Sequence, residues 1–374
     1  MNIGIDIRTL SFRRGGISQY TSDLLKTLTR LDRANRYYLF NFAKSPHTWD
    51  SFEGNTREII LRLPQRSIGK GMWEIVLLPY AAWKYDLHVW FSPDFSVPRF
   101  LNIPKVVAIH DLIFMNFYDP KSRYSKKLQS SVARAIKHAS KIVVTSHYTL
   151  GDLCNNFELS REKVAVIHLA ADERFHTIEK THVSTVLKRY GIDFPYLLFV
   201  GEISRRKNLS GLLKAFKILK ADGKILRRRL VIVGKKTTET DHVMKEVTEL
   251  GISGEVFFTG YIPDEDLPFI YNGADLFVFP SLYEGFGIPP LEAMRCGTPV
   301  VASNATSIPE VVGEGALLFD PKDPIDMADK IDAVIHARVD VDDLKAKAKR
   351  QAEKFSWTLT AKQTMEIFNG LAPE

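Results

Sequence analysis

The sequence predicts an α/β protein built from two doubly wound, Rossmann-like domains. Short, nearly continuous runs of Val, Ile, Leu and Phe recur along the chain, and such runs are typical of strands buried on both faces of a sheet. Segments with helical periodicity separate many of these runs, and this alternation favours βαβ units around a mainly parallel sheet. The chain has 374 residues, which is enough for about two domains of ordinary size.

The predicted strands fall into two series of similar rhythm. The first series comprises residues 2–7, 37–42, 58–63, 88–91, 106–110, 141–145 and 163–168. The second comprises residues 196–201, 230–234, 256–258, 275–279, 299–302 and 316–319. Among the intervening segments, residues 17–31 and 208–220 have clear helical periodicity, and the amphipathic segment 355–370 predicts a terminal helix.

The series breaks in a polar, charged stretch, and we place the domain boundary there. The predicted domains are residues 1–176 and 196–355, joined by a linker at 177–195. Ligands of doubly wound sheets bind beyond the carboxyl ends of the strands, so we expect a ligand cleft between the two domains.

Composition narrows the protein class and its setting. Hydrophobic residues make up 45% of the chain and charged residues 25%, which excludes a disordered chain. The two cysteines, Cys154 and Cys296, are far apart, which excludes a disulfide framework and a cysteine-rich metal site. No apolar stretch is long enough to span a membrane, and the amino terminus does not resemble a signal peptide, so we expect a cytoplasmic protein.

The chain is moderately basic, with 51 Lys and Arg against 44 Asp and Glu and a formal net charge of +7. This surplus favours an anionic partner, such as a phosphorylated small molecule, a membrane surface or a nucleic acid. Composition alone does not choose among them.

A glycine-rich loop after the predicted strand 275–279 indicates an anion site. The loop contains Gly285 and Gly287, and Pro289 and Pro290 suit the first turn of a following helix that ends at Gly297. The backbone amides of Phe286, Gly287 and Ile288 are then expected to point out of a helix amino terminus, where anions bind readily.

Two carboxylates flank this loop: Glu284 precedes the helix and Glu292 is expected in its first turn. Carboxylates repel phosphate but bind hydroxyls, so the pair suits a ribose and a hexose on either side of a diphosphate. The alternative is that both acids only stabilise a helix amino terminus.

A second loop, after the strand 196–201, carries Arg206 and Lys207, with Asn208 as the expected N-cap of the next helix. Because parallel strands end at the same edge of a sheet, this cation pair is expected to face the same crevice and to neutralise a leaving diphosphate. The alternative is a solvated basic loop.

With these motifs the chain resembles the family-4 retaining glycosyltransferases, which have the GT-B fold. The resemblance spans nearly the whole chain and is most specific in the second half. Its motifs are Glu284-x7-Glu292, Gly201 with Arg206-Lys207-Asn208, Gly15-Gly16-Ile17, His110-Asp111, Thr145-Ser146 and Phe355-Ser356-Trp357. The resemblance implies a GT-B architecture, with two Rossmann-like domains facing a central cleft and a carboxyl-terminal helix, residues 356–374, that crosses back to the first domain.

The resemblance also implies roles for individual residues. Glu284 would contact hydroxyls of the donor sugar, and Glu292 the nucleotide ribose. Arg206 and Lys207 would hold the diphosphate, and the strand-end Gly201 of the same loop would belong to the donor site. The amides around Phe286, Gly287 and Ile288 would help to bind phosphate and sugar. Tyr261 and Ile262 would contact the base, and Gly16 would approach the phosphates. One departure is Glu202, where many relatives have Arg, so the phosphate site would depend more on Arg206 and Lys207.

The implied activity is a retaining transfer of a hexose from a nucleotide sugar, independent of metal and of other cofactors. The motifs most resemble the mannosyltransferase branch, which implies GDP-mannose as donor, with a UDP-linked hexose as the alternative. The acceptor would be a glycan or a polyprenyl-diphosphate-linked saccharide in the synthesis of a cell-surface polysaccharide such as lipopolysaccharide O-antigen.

His110 ends a predicted strand, and by resemblance it lies against the transferred hexose. The adjacent Asp111 could orient its ring. The alternative is a structural histidine, and we do not assign His110 as the catalytic base, because in this fold the leaving phosphate could accept the proton of the acceptor.

Seven Lys and Arg and no acidic residue lie between Lys121 and Lys141, and residues 62–73 mix Arg62, Arg66 and Lys70 with Met72 and Trp73. Basic helices with aromatic neighbours suit an anionic membrane surface, which predicts peripheral binding to the inner face of the membrane. The alternative is a solvated face. Nucleic acid fits less well, because no nucleic-acid-binding motif accompanies the charge.

Three other classes of protein fit the sequence less well. A nicotinamide dehydrogenase is disfavoured because Pro290 replaces the third glycine of its fingerprint and no acid lies near Asn304. A metal-dependent glycosyltransferase requires an Asp-x-Asp, which Asp264–Asp266 and Asp340–Asp342 match only formally. A non-catalytic nucleotide-sugar-binding protein is expected to lack Glu284 or Lys207, and both are present.

Overall fold

The computed structural model describes residues 1–11, 15–42, 55–61 and 72–371. It divides into two compact units, Met1–Leu169 with Ser356–Glu374, and Ala170–Phe355. The division falls earlier than the boundary expected at residues 176–196. Residues 177–195 are not an open linker, because they contain a helix, Lys180–Arg189, that packs within the second unit.

The first unit is a parallel sheet covered by helices. Its strands pair in the order β3-β2-β1-β4-β5-β6-β7. They are β1 (Asn2–Asp6), β2 (Arg36–Asn41), β3 (Thr56–Ile60), β4 (Val89–Ser92), β5 (Lys105–Ile109), β6 (Lys141–Val144) and β7 (Val164–Val166). The helices are α1 (Gly16–Leu31), α2 (Leu78–Lys84), α3 (Ile113–Phe117), α4 (Arg123–His138) and α5 (His147–Asn156), and a π-helical turn at Trp73–Leu77 leads into α2.

Apolar side chains of this sheet pack against apolar side chains of the helices that cover it. Val107 and Ile109 of β5 pack against Val132 and Ile136 of α4. Further along the sheet, Trp90 packs in a second cluster with Trp73 and Leu78, which lie on the buried side of the α2 segment. Burying apolar area of this kind is the main stabilising contribution to such a layered unit.

The second unit repeats the architecture with its own sheet, in the order β10-β9-β8-β11-β12-β13. Its strands are β8 (Tyr196–Val200), β9 (Arg229–Val233), β10 (Val256–Gly260), β11 (Leu276–Phe279), β12 (Val300–Ser303) and β13 (Leu317–Phe319). Its helices are α6 (Lys180–Arg189), α7 (Leu209–Ala221), α8 (Thr240–Glu249), α9 (Leu267–Gly273), α10 (Ile288–Arg295), α11 (Ile308–Val312), α12 (Pro324–Ile335) and α13 (Val341–Ala352).

The last helix, α14 (Trp357–Asn369), belongs to the first unit although it follows the second in the chain. Ser356 caps its amino terminus by accepting the N–H of Leu359. Phe368 packs edge-on against Phe91 with ring centroids 5.5 Å apart, and the Thr360 hydroxyl donates to the carbonyl of His168. These contacts confirm the predicted return of the terminal helix.

The thirteen predicted strands are all present among the described residues, in the predicted order and with parallel pairing. The two doubly wound sheets confirm the predicted fold class. None of the described helices combines the length and the apolar character that crossing a membrane requires.

Candidate active site

The candidate site lies in the second unit, where the strand order reverses. β8 and β11 are paired neighbours, but the chain proceeds from β8 toward β9 and from β11 toward β12, on opposite sides. The loops that follow these two strands therefore diverge and leave a crevice at the carboxyl edge of the sheet, the usual ligand position in a doubly wound fold. These two loops contain Gly201, Arg206, Lys207, Glu284, Phe286 and Gly287.

The loop after β8 holds its cations in one short turn. Arg206 and Lys207 lie in a 3-10 turn, Arg205–Lys207, and Asn208 then adopts a left-handed φ of 54°. The Asn208 side chain donates to the carbonyl of Pro321 and makes no capping bond. Asn208 therefore begins α7 as predicted, but it fixes the loop to the end of the sheet instead of capping the helix.

Both cations reach the carboxylate of Glu284. The Nη1 of Arg206 and the Nζ of Lys207 each lie 2.7 Å from Oε1 of Glu284. Burial alone would raise the pKa of Glu284, but the charges of Lys207 and Arg206 outweigh burial and hold it below its ordinary value. Two cations share one anion, so the triad has a net charge of about +1 that an anionic ligand can compensate.

Lys207 is buried in a pocket that other loop residues shape. Its side chain is 6% exposed, and its Nζ lies 4.7 Å from the ring centroid of Phe279 at the end of β11. A Cβ added to Gly201 would lie 3.4 Å from Cε of Lys207, so glycine leaves room for this side chain. Burial lowers the pKa of Lys207, while Glu284 and the exposed Glu202 act in the opposite direction.

The loop after β11 is fixed by the residues that precede α11. Thr306 accepts the backbone N–H of Glu284 through Oγ1, and the Ser307 hydroxyl donates to the carbonyls of Glu284 and Phe286. The Phe286 ring is buried against Phe355 with centroids 5.7 Å apart. The loop therefore has one defined path, which orients Glu284 toward the cations.

Gly287 begins the helix that follows. It is the N-cap of α10 with φ 110°, a backbone conformation that glycine adopts far more easily than other residues. Pro289 and Pro290 lie in the first turn as predicted. The two prolines carry no N–H, so Ile288 supplies the only amide among the first three residues of this helix. That amide has no partner within the helix and is available to an anion.

Glu292 is the fifth residue of α10 and not in its first turn, which corrects the sequence expectation. Its Oε2 accepts a hydrogen bond of 2.7 Å from the Tyr271 hydroxyl of α9. Burial raises the pKa of Glu292 to about 7, with Asp264 adding to the effect and Tyr271 opposing it. A carboxyl whose pKa is raised this far is unusual outside functional sites.

The predicted base-binding residues lie where β10 ends. Tyr261 is 47% exposed and Ile262 is buried. The Nζ of Lys235, which follows the neighbouring strand β9, lies 5.0 Å from the ring centroid of Tyr261. The structure therefore presents an accessible aromatic ring with a cation over it, beside the cation–carboxylate crevice along the same sheet edge.

Gly16 and His110 belong to the first unit. Gly16 is the first residue of α1, after the N-cap Gly15. Among the described residues, apart from its chain neighbours and the backbone of its own helix, no heavy atom lies within 4 Å of where a Cβ on Gly16 would be.

His110 follows β5 and is held by the backbone. Its Nε2 lies 2.8 Å from the carbonyl oxygen of Pro93, and Tyr20 packs against its ring with centroids 4.6 Å apart. Burial lowers the pKa of His110, although Pro93 and Asp111 oppose this. Because a carbonyl only accepts, Nε2 carries the proton of the neutral ring and Nδ1 keeps its lone pair.

Asp111, expected to orient that ring, accepts the backbone N–H of Ile113. The bond to Pro93 also constrains the ring orientation.

The two formal Asp-x-Asp motifs have structural partners. The carboxylate of Asp266 binds Arg189 and Tyr190 of the α6 segment. Asp340 caps α13 by accepting the N–H groups of Asp342 and Asp343. One acid of each motif therefore has a structural role.

Five of the predicted basic residues lie on α4, namely Arg123, Lys126, Lys127, Arg134 and Lys137. Of the second basic segment, Arg62, Arg66 and Lys70 lie outside the described residues.

Sequence reasoning missed Tyr271 and Lys235. Tyr271 reaches Glu292 from another helix, and its local sequence contains no signal for that contact. Lys235 could have been found, since it follows Gly234 at the end of a predicted strand, next to the strand that ends at Tyr261.

Comparisons with known proteins agree with this geometry. Residues 188–355 match the family described as "Glycosyl transferases group 1", and residues 14–175 match "Glycosyltransferase Family 4". The chain is 30% identical to O-antigen chain mannosyltransferase B of Escherichia coli over 371 residues, covering 94% of this chain and 95% of that protein. It is 32% identical over 284 residues to the serotype-specific mannosyltransferase WbdA of Escherichia coli, covering 72% of this chain and 34% of WbdA.

Solved structures share the fold at low sequence identity. Sucrose-phosphate synthase from Thermosynechococcus elongatus has a TM-score of 0.80 at 20% identity, with 99% of this chain and 98% of that chain covered. HepE from Anabaena, solved in complex with UDP, has a TM-score of 0.79 at 20% identity, with 99% and 100% covered. The chain therefore belongs to glycosyltransferase family 4 and is a glycosyltransferase of the GT-B fold.

Proposed function

We propose that this enzyme transfers mannose from GDP-mannose, with retention of configuration, to a lipid-linked saccharide during synthesis of an O-antigen-type polysaccharide. The observation that carries the proposal is the ion-paired triad of Arg206, the buried Lys207 and Glu284 at the strand-order reversal of the second sheet. The mannosyltransferase names of the relatives support the transferred sugar and the polysaccharide class.

The cations and the helix start receive the diphosphate. Arg206 and Lys207 lie on one side of the crevice, and the amino terminus of α10 at Gly287 lies on the β11 side. As the bond from the anomeric carbon to phosphate oxygen breaks, negative charge accumulates on the leaving diphosphate, and these fixed groups stabilise it. We propose that no metal ion is needed for that task, since Asp266 and Asp340, one acid of each Asp-x-Asp motif, make structural hydrogen bonds.

The carboxylates receive hydroxyls. Glu284, whose charge the two cations maintain, accepts from the donor sugar, and Glu292 accepts from the ribose. Glu284 is a poor general base, because Lys207 and Arg206 depress its pKa. We assign it to positioning the sugar.

Retention follows if attack and departure share one face of the sugar. The acceptor oxygen bonds to the anomeric carbon while the carbon–phosphate oxygen bond breaks, and the acceptor proton passes to the leaving phosphate oxygen. His110 is neutral and offers Nδ1 as a hydrogen-bond acceptor for the transferred mannose. It therefore positions the sugar without taking the proton.

Guanine fits the accessible ring of Tyr261 with Lys235 over it. A purine provides a larger stacking surface than uracil, and the O6 and N7 acceptors of guanine suit a lysine donor. UDP-hexose is the second candidate, because HepE of similar fold is solved with UDP-glucose.

The acceptor is proposed to reach the first unit at the inner face of an anionic membrane. The five basic residues of α4 support this placement, since cationic helices are attracted to anionic lipid headgroups.

The test is a thermal-unfolding panel with GDP-mannose, GDP, UDP-glucose and UDP. We expect the guanine nucleotides to raise the unfolding temperature most, because a ligand stabilises the folded state in proportion to its binding. If only the uridine nucleotides protect, the donor is a UDP-hexose. If none protects, the proposed donor site is wrong.

A further inference from the structure

The helical segment from Trp73 to Lys84 in the first unit is apolar on two opposite sides. Trp73, Leu78, Ala81 and Ala82 are buried against the sheet. On the other side Ile75, Val76 and Tyr80 are each 54% exposed and Trp83 is 78% exposed. A helix on a globular surface ordinarily turns polar residues outward, so this outer side needs a partner that accepts apolar side chains.

The exposed side chains form one continuous face. Val76, Tyr80 and Trp83 are spaced by four and three residues, which places them on the same side of a helix. The rings of Tyr80 and Trp83 are 6.0 Å apart. We call Ile75, Val76, Tyr80 and Trp83 the outer face of the α2 segment.

Cations border this face. The Nζ of Lys84 lies 5.9 Å from the ring of Tyr80. Beside the start of the segment, Arg99 pairs with Glu74 at 3.8 Å and is followed by Phe100, which is half exposed.

The positive border continues toward the carboxyl end of α4. Burial, together with the charges of Lys137, Lys105, Arg99 and Arg134, lowers the pKa of His138. Arg99, which pairs with Glu74 of the α2 segment, is thus among the cations whose charges act on His138 at the end of α4. We call Lys84, Arg99, Arg134 and Lys137 the basic rim.

We propose that the outer face of the α2 segment inserts into the headgroup region of an anionic lipid bilayer, with the basic rim bound to lipid phosphates. Trp and Tyr favour the membrane interface because each combines a large apolar ring with a polar group. The rim supplies the attraction to anionic lipid, and this charge complementarity favours a bilayer over a second copy of the chain. The inference deepens the proposed function, on which it rests for the lipid-linked acceptor.

The experiment measures binding of the full chain to vesicles of phosphatidylcholine, alone or mixed with phosphatidylglycerol. We expect strong binding only to the mixed vesicles, weakened by salt. The double variant Tyr80→Ser/Trp83→Ser should reduce binding by about tenfold or more, since aromatic insertion is lost. The matched control Leu226→Ser removes a similarly exposed apolar residue, 69% exposed, from the second unit, and should bind as wild type.

Three further variants separate the contribution of the basic rim from that of the aromatic side chains. Lys84→Glu/Lys137→Glu should also release the protein from mixed vesicles, whereas Lys217→Glu on an exposed part of α7 in the second unit should do so less. Trp83→Phe should keep most of the binding but lose most of the blue shift of tryptophan fluorescence on vesicles. That conservative variant keeps the test valid if the double serine variant does not fold.

Vesicle binding that is equal in wild type and Tyr80→Ser/Trp83→Ser would overturn the proposal. So would a dimer in solution that this variant dissociates, combined with no vesicle binding, because the outer face would then be a subunit interface. The vesicle assay contains neither donor nor acceptor, so a lack of vesicle binding would leave the proposed transfer of mannose unaffected. Conversely, failed donor protection with intact vesicle binding counts against the proposed donor alone.

Discussion

The ammonium of Lys207 and the carboxylate of Glu284 are 2.7 Å apart in a buried pocket, although their loops follow different strands of the sheet. Arg206 binds the same carboxylate oxygen. In this arrangement Glu284 is the counter-ion of both cations, and a bound diphosphate would be their second anionic partner. Diphosphate binding and sugar positioning are therefore connected through one carboxylate.

Replacing Glu284 by Gln should separate sugar positioning from nucleotide binding. The variant leaves both cations without their counter-charge, so we expect free GDP to bind as tightly as to wild type or more tightly. Transfer should fall by about a hundredfold, since a charged contact to the reacting sugar is lost. Calorimetric titration measures the GDP affinity, and a transfer assay measures the rate. An equal loss of GDP affinity and of transfer rate would contradict the assignment of Glu284 to the sugar.

Replacing Lys207 by Ala should weaken the diphosphate site specifically. We expect GDP affinity to drop about ten- to a hundredfold, in line with the removal of a buried charge-assisted contact, with a much smaller effect on GMP. Lys217→Ala, an exposed lysine of α7, is the control and should bind both as wild type. Equal losses for GDP and GMP would show that Lys207 does not hold the diphosphate.

Glu292 should make nucleotide binding depend on pH. Because burial raises the pKa of Glu292 to about 7, the acid is largely protonated below that pH. Ribose hydroxyls donate to the ionised form, so binding releases a proton and GDP affinity should rise with pH until about 7, then level. Calorimetric titrations with GDP in buffers of different ionisation enthalpy measure how many protons are released on binding. In Glu292→Gln the dependence should disappear, and a wild-type affinity that falls with rising pH would reverse the predicted sign.

The same shift affects stability. The pKa of Glu292 in the fold lies above its ordinary value of 4.5, so its contribution to the free energy of unfolding is complete below pH 4.5. It is lost as pH rises through about 7. Tyr271→Phe removes a hydrogen bond that lowers this pKa. The pH at which GDP affinity levels off and the pH at which the stability contribution is lost should therefore both rise. Denaturant unfolding across pH tests this, and an unmoved or lowered midpoint would argue against the Tyr271–Glu292 contact.

Gly287→Ala should distort the anion loop. At φ 110° a Cβ is strained, and we expect a loss of about 1–3 kcal/mol in the free energy of unfolding together with weaker GDP binding. Gly254→Ala, where no atom lies within 4 Å of the added Cβ, is the matched control. A stable Gly287→Ala variant with wild-type affinity would mean that this turn does not shape the site.

Local sequence patterns were sufficient for the strands, because a strand buried on both faces needs an unbroken apolar run, as in Leu197–Val200 and Leu276–Phe279. The Glu284 loop could be predicted for a similar reason, since Gly287 and the paired prolines specify a strand, a turn and a helix start. These signals are contained within a few consecutive residues.

Long-range partners were not predictable in the same way. Nothing near Glu292 in the sequence indicates Tyr271, because the contact depends on how α9 packs beside α10. The cap expected at Asn208 failed because its side chain bonds to Pro321, more than a hundred residues away. The segment 177–195 predicts a linker because most of it is polar or charged, and its helix α6 has three apolar residues, Val183, Val186 and Leu187.

The most direct test of the central claim is to follow GDP-mannose by proton NMR with the enzyme, with water as the slow acceptor. The proposed function predicts that GDP is released and that α-mannose appears first, before mutarotation mixes the anomers, and that Lys207→Ala slows this reaction strongly. β-Mannose as the first product, or GDP-mannose that stays intact while UDP-glucose is consumed, would contradict it.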